Sequence, residues 1–272
     1  MNDDVVSPRV RAELEKLEQE RNLRVLYACE SGSRAWGFAS RDSDWDVRFL
    51  YVHKRDWYLG VENHRDVVEL MLDEPFGPGS PELDLGGWEL RKALRLLRKS
   101  NPPLLEWLKS PLVYAQDAQF HAEFSALAAD YYSSERCFAH YLHMAFGNWR
   151  DYLRGRDSVR LKKYLYVFRP LLACRWIARG LGPAPMLFSD MLEMLDDEPE
   201  VRAAVDALVA RKMSSDELDV DAPVPVLNEF IAAELPRLEA LRSRAEPAND
   251  SSALDRFLQR WMEGAFEPAP NN

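Results

Sequence analysis

Cysteine is scarce in this chain. Cys29, Cys137 and Cys174 are the three in 272 residues, and they lie far apart. An odd, scattered set supplies neither a disulfide framework nor the paired spacing of a zinc site, so reduced and buried thiols are expected. The chain also lacks an unbroken apolar run of membrane-spanning length. Its start, Met1-Asn2-Asp3-Asp4-Val5, has no basic stretch with an apolar segment behind it, and a cytoplasmic protein is expected. Only five histidines occur. His140 and His143 are close in sequence but have no carboxylate or cysteine pair beside them, which argues against a metal site there. No internal repeat and no low-complexity tract is present.

Positive charge is in deficit, with 35 Lys and Arg against 45 Asp and Glu for a net charge of −10. That balance excludes a surface coated for nonspecific nucleic-acid binding. The deficit is uneven. Residues 147–180 hold Arg150, Arg154, Arg156, Arg160, Lys162, Lys163, Arg169, Arg175 and Arg179 against Asp151 and Asp157, and residues 91–109 hold a second basic segment. Two such segments within an acidic chain point to local anion sites. The 47% hydrophobic and 29% charged content is that of a globular protein large enough to bury a substantial core in one or two domains.

Against this background one stretch stands out: Glu30-Ser31-Gly32-Ser33-Arg34-Ala35-Trp36-Gly37, followed by Ser43-Asp44-Trp45-Asp46-Val47-Arg48. Arg24 to Ala28 reads as a buried strand and Trp45 to Val52 as a second. Strand side chains alternate, so Asp44, Asp46 and Arg48 share one face while Trp45, Val47 and Phe49 turn into the core. Two carboxylates converging on one small volume repel each other unless a proton or cation neutralises them. Mg²⁺ suits such a pair, because it binds through one or two carboxylates and completes its shell with substrate phosphates. The Gly-Ser turn suits the other end of such a substrate: Gly32 lets the backbone approach a phosphate, and Ser33, at an expected helix start, offers its hydroxyl and N–H groups.

The order of these pieces (strand, Gly-Ser, spacer, Asp-Trp-Asp-Val opening a strand) resembles the signature of the DNA polymerase β-like nucleotidyltransferase superfamily, although Ser31 stands where a hydrophobic residue is usual. Glu30 to Phe38, Ser43 to Arg48, Tyr51-Val52, Gly87 to Leu94, Lys99 to Pro102, Glu106-Trp107-Leu108, Ser110-Pro111 and Lys162 to Pro170 resemble, more closely, the predicted nucleotidyltransferases of bacteria and phages associated with RNA repair. The resemblance implies an α/β (α+β) nucleotidyltransferase core with a small mixed sheet, followed by an all-α C-terminal domain. It implies two Mg²⁺ or Mn²⁺ ions held by Asp44, Asp46 and a third acid, and an NTP substrate. Gly32, Ser33, Arg34, Ser43, Arg48, Lys163 and Arg169 are then nucleotide-binding positions. It also implies an RNA 3′ end as acceptor and an RNA-repair ligase as partner. The third acid is Asp84, in the alternating segment Glu82 to Leu85, or Glu69, in Asp66 to Leu70; the resemblance favours Asp84 because it places an acid just ahead of the Gly87-Trp88 helix.

Ser7-Pro8 starts a helix running to about Glu20. The catalytic domain is expected over residues 1–110, with a Pro- and Gly-rich loop at Asp73 to Pro81 and a break at Asn101-Pro102-Pro103. A helical domain follows over 111–272. Apolar spacing predicts helices over 120–131, 135–153, 159–178, 198–213 and 225–244, then a last short one, with Pro170 kinking or breaking its helix near Arg169. The leading functional expectation is nucleotide transfer to RNA. Transfer to a protein side chain and nucleotide sensing without turnover are the alternatives; the intact Asp44 and Asp46 count against sensing, and the basic segments favour nucleic acid over protein.

Overall fold

A computed structural model describes residues 3–214, 220–247 and 250–266. Helix α1 (Asp3–Arg21) leads into β1 (Leu23–Glu30) and β2 (Trp45–His53). A short helix α2 (Arg55–Tyr58), β3 (Val67–Leu72), β4 (Leu83–Glu89), α3 (Leu90–Arg98), α4 (Pro102–Trp107) and β5 (Val113–Gln116) complete the first part. The five strands form one mixed sheet in the order β3-β4-β2-β1-β5. Strands β2 and β4 run parallel and the other neighbours antiparallel. The fifth strand comes from residues 113–116, so the boundary expected after residue 110 falls inside the sheet-forming stretch.

The remainder is largely helical: α5 (Ala118–Asp130), α6 (Ser134–Asn148), a π-helical turn (Trp149–Leu153), α7 (Lys162–Ala178), a 3₁₀ segment (Ser189–Leu195), α8 (Pro199–Ser214), α9 (Pro225–Ala240) and α10 (Ser252–Gly264). A two-residue ladder joins β6 (Val159–Arg160) to β7 (Val220–Asp221). Among the described residues no helix is long and apolar enough to cross a membrane, and all three cysteines are buried and unpaired.

Strand alternation sorts the core into two layers. Trp45, Val47, Phe49 and Tyr51 of β2 and Leu83 and Leu85 of β4 pack with Val6, Val10, Leu14 and Leu17 of α1. Leu50 and Val52, on the opposite face, join a large cluster that runs without a break from β1 through α3, α6, α7 and α9 to α10. The helices therefore share one core with the sheet. They cover the face that carries Asp46, Arg48 and Asp84.

Two local expectations fail for tertiary reasons. Gly86, Gly87 and Trp88 extend β4, and α3 starts only at Leu90, capped by Glu89, which accepts from the N–H groups of Arg91 and Lys92 at 2.8 and 3.2 Å. Both glycines admit side chains from β2: a Cβ on Gly87 would lie 2.3 Å from the Phe49 ring, and one on Gly86 would lie 3.2 Å from Arg48 Cδ. Of the kink or break expected at Pro170, the break is absent, since α7 runs through it. Proline cannot donate to the carbonyl four residues back. That carbonyl, on Tyr166, accepts instead from Asn148 Nδ2 of α6 at 3.1 Å.

Candidate active site

The site begins with backbone pairing. The Ser31 N–H donates to the Asp46 carbonyl at 2.9 Å, continuing the β1–β2 ladder past Glu30 and setting Gly32 beside Asp46. Trp36 N–H returns to the Gly32 carbonyl at 3.0 Å and Phe38 N–H to Ser33 at 3.1 Å, so the expected helix start is a compact turn. Buried Glu30 accepts from the Asp46 N–H at 2.8 Å and from the Tyr114 hydroxyl at 2.6 Å. Burial pushes its pKa up to about 7. Arg34 clamps the far side of the loop, stacking 3.7 Å from the Trp45 ring and donating to the backbone carbonyls of Ser43 and Asp44. Ser43 Oγ accepts from Ser40 N–H at 3.0 Å.

Asp46 of β2 stands opposite Asp84 of β4 in the parallel register, on the same face as Arg48. Glu69 lies one strand further out, opposite Gly86, with its side chain 63% exposed and paired with Arg65. Of the two candidates, Asp84 is therefore the one the sheet brings to Asp46. It is already engaged: Arg48 Nη2 lies 2.8 Å from Asp84 Oδ2 and 3.4 Å from Asp46 Oδ1. Desolvation raises the Asp46 pKa first; Arg48 opposes this, while Asp84 and Asp44 add to it.

A cleft of about 380 Å³ opens here, lined from the sheet side by Gly32, Ser33, Trp36, Ser43, Asp44, Asp46 and Arg48, and from the helices by Lys162, Tyr166 and Lys212. Lys212 Nζ donates to Ser40 Oγ at 2.7 Å and lies 3.3 Å from Ser43 Oγ. Burial and then the fields of Asp46 and Asp44 raise the Tyr166 pKa, which puts its hydroxyl within electrostatic reach of the acids. Lys212 lay beyond sequence reasoning, being 169 residues from the Ser43 it meets. Lys162, and not the neighbouring Lys163 expected from the sequence, is the lysine of the basic segment that lines the cleft.

Lys163 and Arg169, both expected at the nucleotide, are not among the cleft residues. Lys163 is rotated off the wall that Lys162 forms, with its ammonium 3.9 Å from the Tyr152 ring centroid and 4.9 Å from that of Tyr166. Arg169 is 4% exposed and committed to Glu106 at 3.0 Å, beneath Trp36. A guanidinium fixed in a buried ion pair cannot be drawn to a triphosphate without leaving a carboxylate stranded.

Among the described residues no three His, Cys, Asp or Glu side chains are grouped so as to hold a metal. The Arg48 guanidinium bridges Asp46 and Asp84. Asp44 and Asp46 by themselves suit one hard divalent ion: the donors are carboxylate oxygens, and Asp46 is held in place by Gly32, where any Cβ would meet its Oδ2 at 1.8 Å.

The protein YcgL of Bacillus subtilis (strain 168), described as uncharacterized, is 44% identical over 261 residues, covering 95% of this chain and 97% of that one. A crystal structure of a nucleotidyltransferase-like protein from Exiguobacterium sibiricum 255-15 aligns with 87% of this chain and 74% of its own at 14% identity, with a TM-score of 0.33, a likeness too slight to bear on the fold. Residues 6–260 match the RNA repair pathway DNA polymerase beta family, RlaP, and the chain belongs to that family of polymerase β-like nucleotidyltransferases associated with RNA repair.

Proposed function

We propose that the protein transfers a nucleoside monophosphate from an NTP to the 3′ hydroxyl of an RNA and releases pyrophosphate. The observation that carries this reading is the seating of Asp46 against Gly32, beside Asp44, in a cleft that also takes in Lys162 and Lys212. Asp44 and Asp46 would hold Mg²⁺ or Mn²⁺, with Asp84 as the further acid. A divalent ion bound there supplies stabilisation of the charge that develops on the reacting phosphate.

The chain's own residues divide the remaining work. Lys162 and Lys212 offset the charge of the triphosphate, and the Gly32-Ser33 turn holds it through the Ser33 hydroxyl and backbone N–H groups. Arg34 fixes the Ser43-Asp44 loop through two backbone carbonyls. Arg48 orients the Asp84 carboxylate, which accepts the proton of the attacking hydroxyl as the new O–P bond forms and the bond to pyrophosphate breaks.

The test is incubation with each NTP labelled on its α-phosphate, Mg²⁺ and single-stranded RNA. The expected result is label on RNA ending in a 3′ hydroxyl, none on RNA with a blocked 3′ end, and none with Asp46→Asn. Label appearing on protein rather than RNA, or persisting in Asp46→Asn, overturns the proposal.

A further inference from the structure

The segment that links α6 to α7 arranges rings and cations in an order the nucleotide site does not use. Tyr166 lines the cleft. One turn earlier on the same helix, Lys163 holds its ammonium 4.9 Å from the Tyr166 ring centroid and 3.9 Å from that of Tyr152. Tyr152 belongs to the π-helical turn and is 44% exposed, among the large hydrophobic side chains left open to solvent. A line of ring, cation and ring thus leads from the cleft to the surface.

Positive charge is concentrated along this line. Partial burial lowers the Lys163 pKa, and the like charges of Lys162 and Arg160 lower it further. Neighbouring Arg150 is spent on Asp151, and Arg156 on the Asp151 carbonyl. No described carboxylate pairs with Lys163, Arg160 or Lys162. The acids of this segment, Asp151 and Asp157, are outnumbered, and Asp151 is taken up by Arg150. Polyanion binding relieves that mutual repulsion, and exposed rings interleaved with cations accept unstacked bases, whereas a duplex keeps its bases stacked and out of reach.

We propose that Tyr152, Lys163 and Tyr166, with Arg160 beside them, form the track along which the single-stranded 3′ end of the RNA acceptor enters the cleft. The proposal rests on the RNA-acceptor reading. Bases stack on Tyr152 and Tyr166, and Lys163 and Arg160 meet the phosphates. Lys162, one residue from Lys163 but on the cleft wall, stays with the triphosphate.

The test measures binding of a single-stranded oligoribonucleotide with a free 3′ hydroxyl, across a salt series, to the full chain and its variants. Tyr152→Ala is expected to weaken binding at least about fivefold at every salt concentration, as loss of one stacked base does, and Tyr152→Trp to restore it. Arg160→Ala and Lys163→Ala are expected to reduce the slope of log affinity against log salt by about one unit each. Affinity for a fluorescent NTP stays within twofold in Tyr152→Ala, whose exposed side chain leaves the core intact. If the unchanged chain binds RNA and all three variants match it, the track is overturned and the RNA reading stands. Equal affinity for a blunt duplex also overturns the track. If the unchanged chain neither binds RNA nor labels it, the RNA reading itself falls and the track falls with it.

Discussion

The Asp46 carboxylate fills the volume that a side chain on residue 32 would need, with Oδ2 lying 1.8 Å from where a Gly32 Cβ would stand. The glycine of the Gly-Ser motif thus serves the carboxylate across the ladder as well as the approach of a phosphate. Gly32→Ala must push Asp46 out of place or spread β1 from β2. Overpacking of this kind costs about 1–3 kcal/mol. The expected outcome is a modest loss of thermal stability together with loss of nucleotide transfer by a factor on the order of 10² or more, because displacement by an ångström is enough to spoil a positioned group. Melting and labelling on the same preparation check it.

Arg48 gives a second prediction. Its guanidinium bridges Asp46 and Asp84 from a strand position facing Gly86, whose missing side chain leaves it room. In Arg48→Met the two acids face each other without a cation, so in chelator the variant should melt below the wild type. Asp84→Asn should recover much of the loss in the Arg48→Met background while being nearly neutral or unfavourable alone. The expected coupling is about 1 kcal/mol, since these side chains are partly open to solvent. Additive effects in the cycle would show that the bridge contributes nothing.

What the sequence disclosed and what it hid divide along local against distant contacts. Asp44, Asp46 and the buried Trp45, Val47 and Phe49 were legible because strand alternation is a local rule; alternation left Asp84 and Glu69 both open, and only the β2–β4 register sets Asp84 opposite Asp46. Gly86 and Gly87 misled because their role is to admit Arg48 and Phe49 from the next strand, which no spacing within 82–89 records. Lys163 and Lys162 cannot be told apart in sequence, because the phase of a helix relative to a cleft is unknown until the helix is docked. Arg169 carries no mark in sequence of its buried partner Glu106.

Glu89 provides a test of pH dependence away from the cleft. It is 1% exposed, caps α3 and accepts from the Tyr58 hydroxyl at 2.5 Å. Burial raises its pKa above the ordinary 4.5, against the opposing hydrogen bonds. A carboxyl whose folded pKa is raised binds its proton more tightly in the fold than in the unfolded chain. Its ionisation therefore lowers stability as pH climbs from the unfolded value through the folded one. Glu89→Gln keeps an oxygen for the cap and removes the ionisation. The variant is expected to gain on the wild type as pH rises above about 4.5, with the gain complete once Glu89 is ionised. Melting temperatures from pH 4 to 8 check this, and a constant difference across the range would refute it.

The last prediction concerns Asn148 and Pro170, which make sense only together. Pro170 sits within α7 and leaves the Tyr166 carbonyl without its helical donor, and Asn148 Nδ2 of α6 supplies the missing hydrogen bond at 3.1 Å. Asn148→Ala should therefore strand a carbonyl on the helix that carries Lys162 and Tyr166 to the cleft, at a cost of about 1–3 kcal/mol. Pro170→Ala restores an N–H at the right place in the helix, so the double variant should recover most of what Asn148→Ala loses. The site adds a second readout. If Asn148 holds the first turns of α7 in line, Asn148→Ala should weaken NTP binding along with stability, and the double variant should restore both. Denaturant unfolding and NTP titration on the four proteins of the cycle decide the matter, and an Asn148→Ala protein as stable as the wild type would show that the Tyr166 carbonyl needs no such partner.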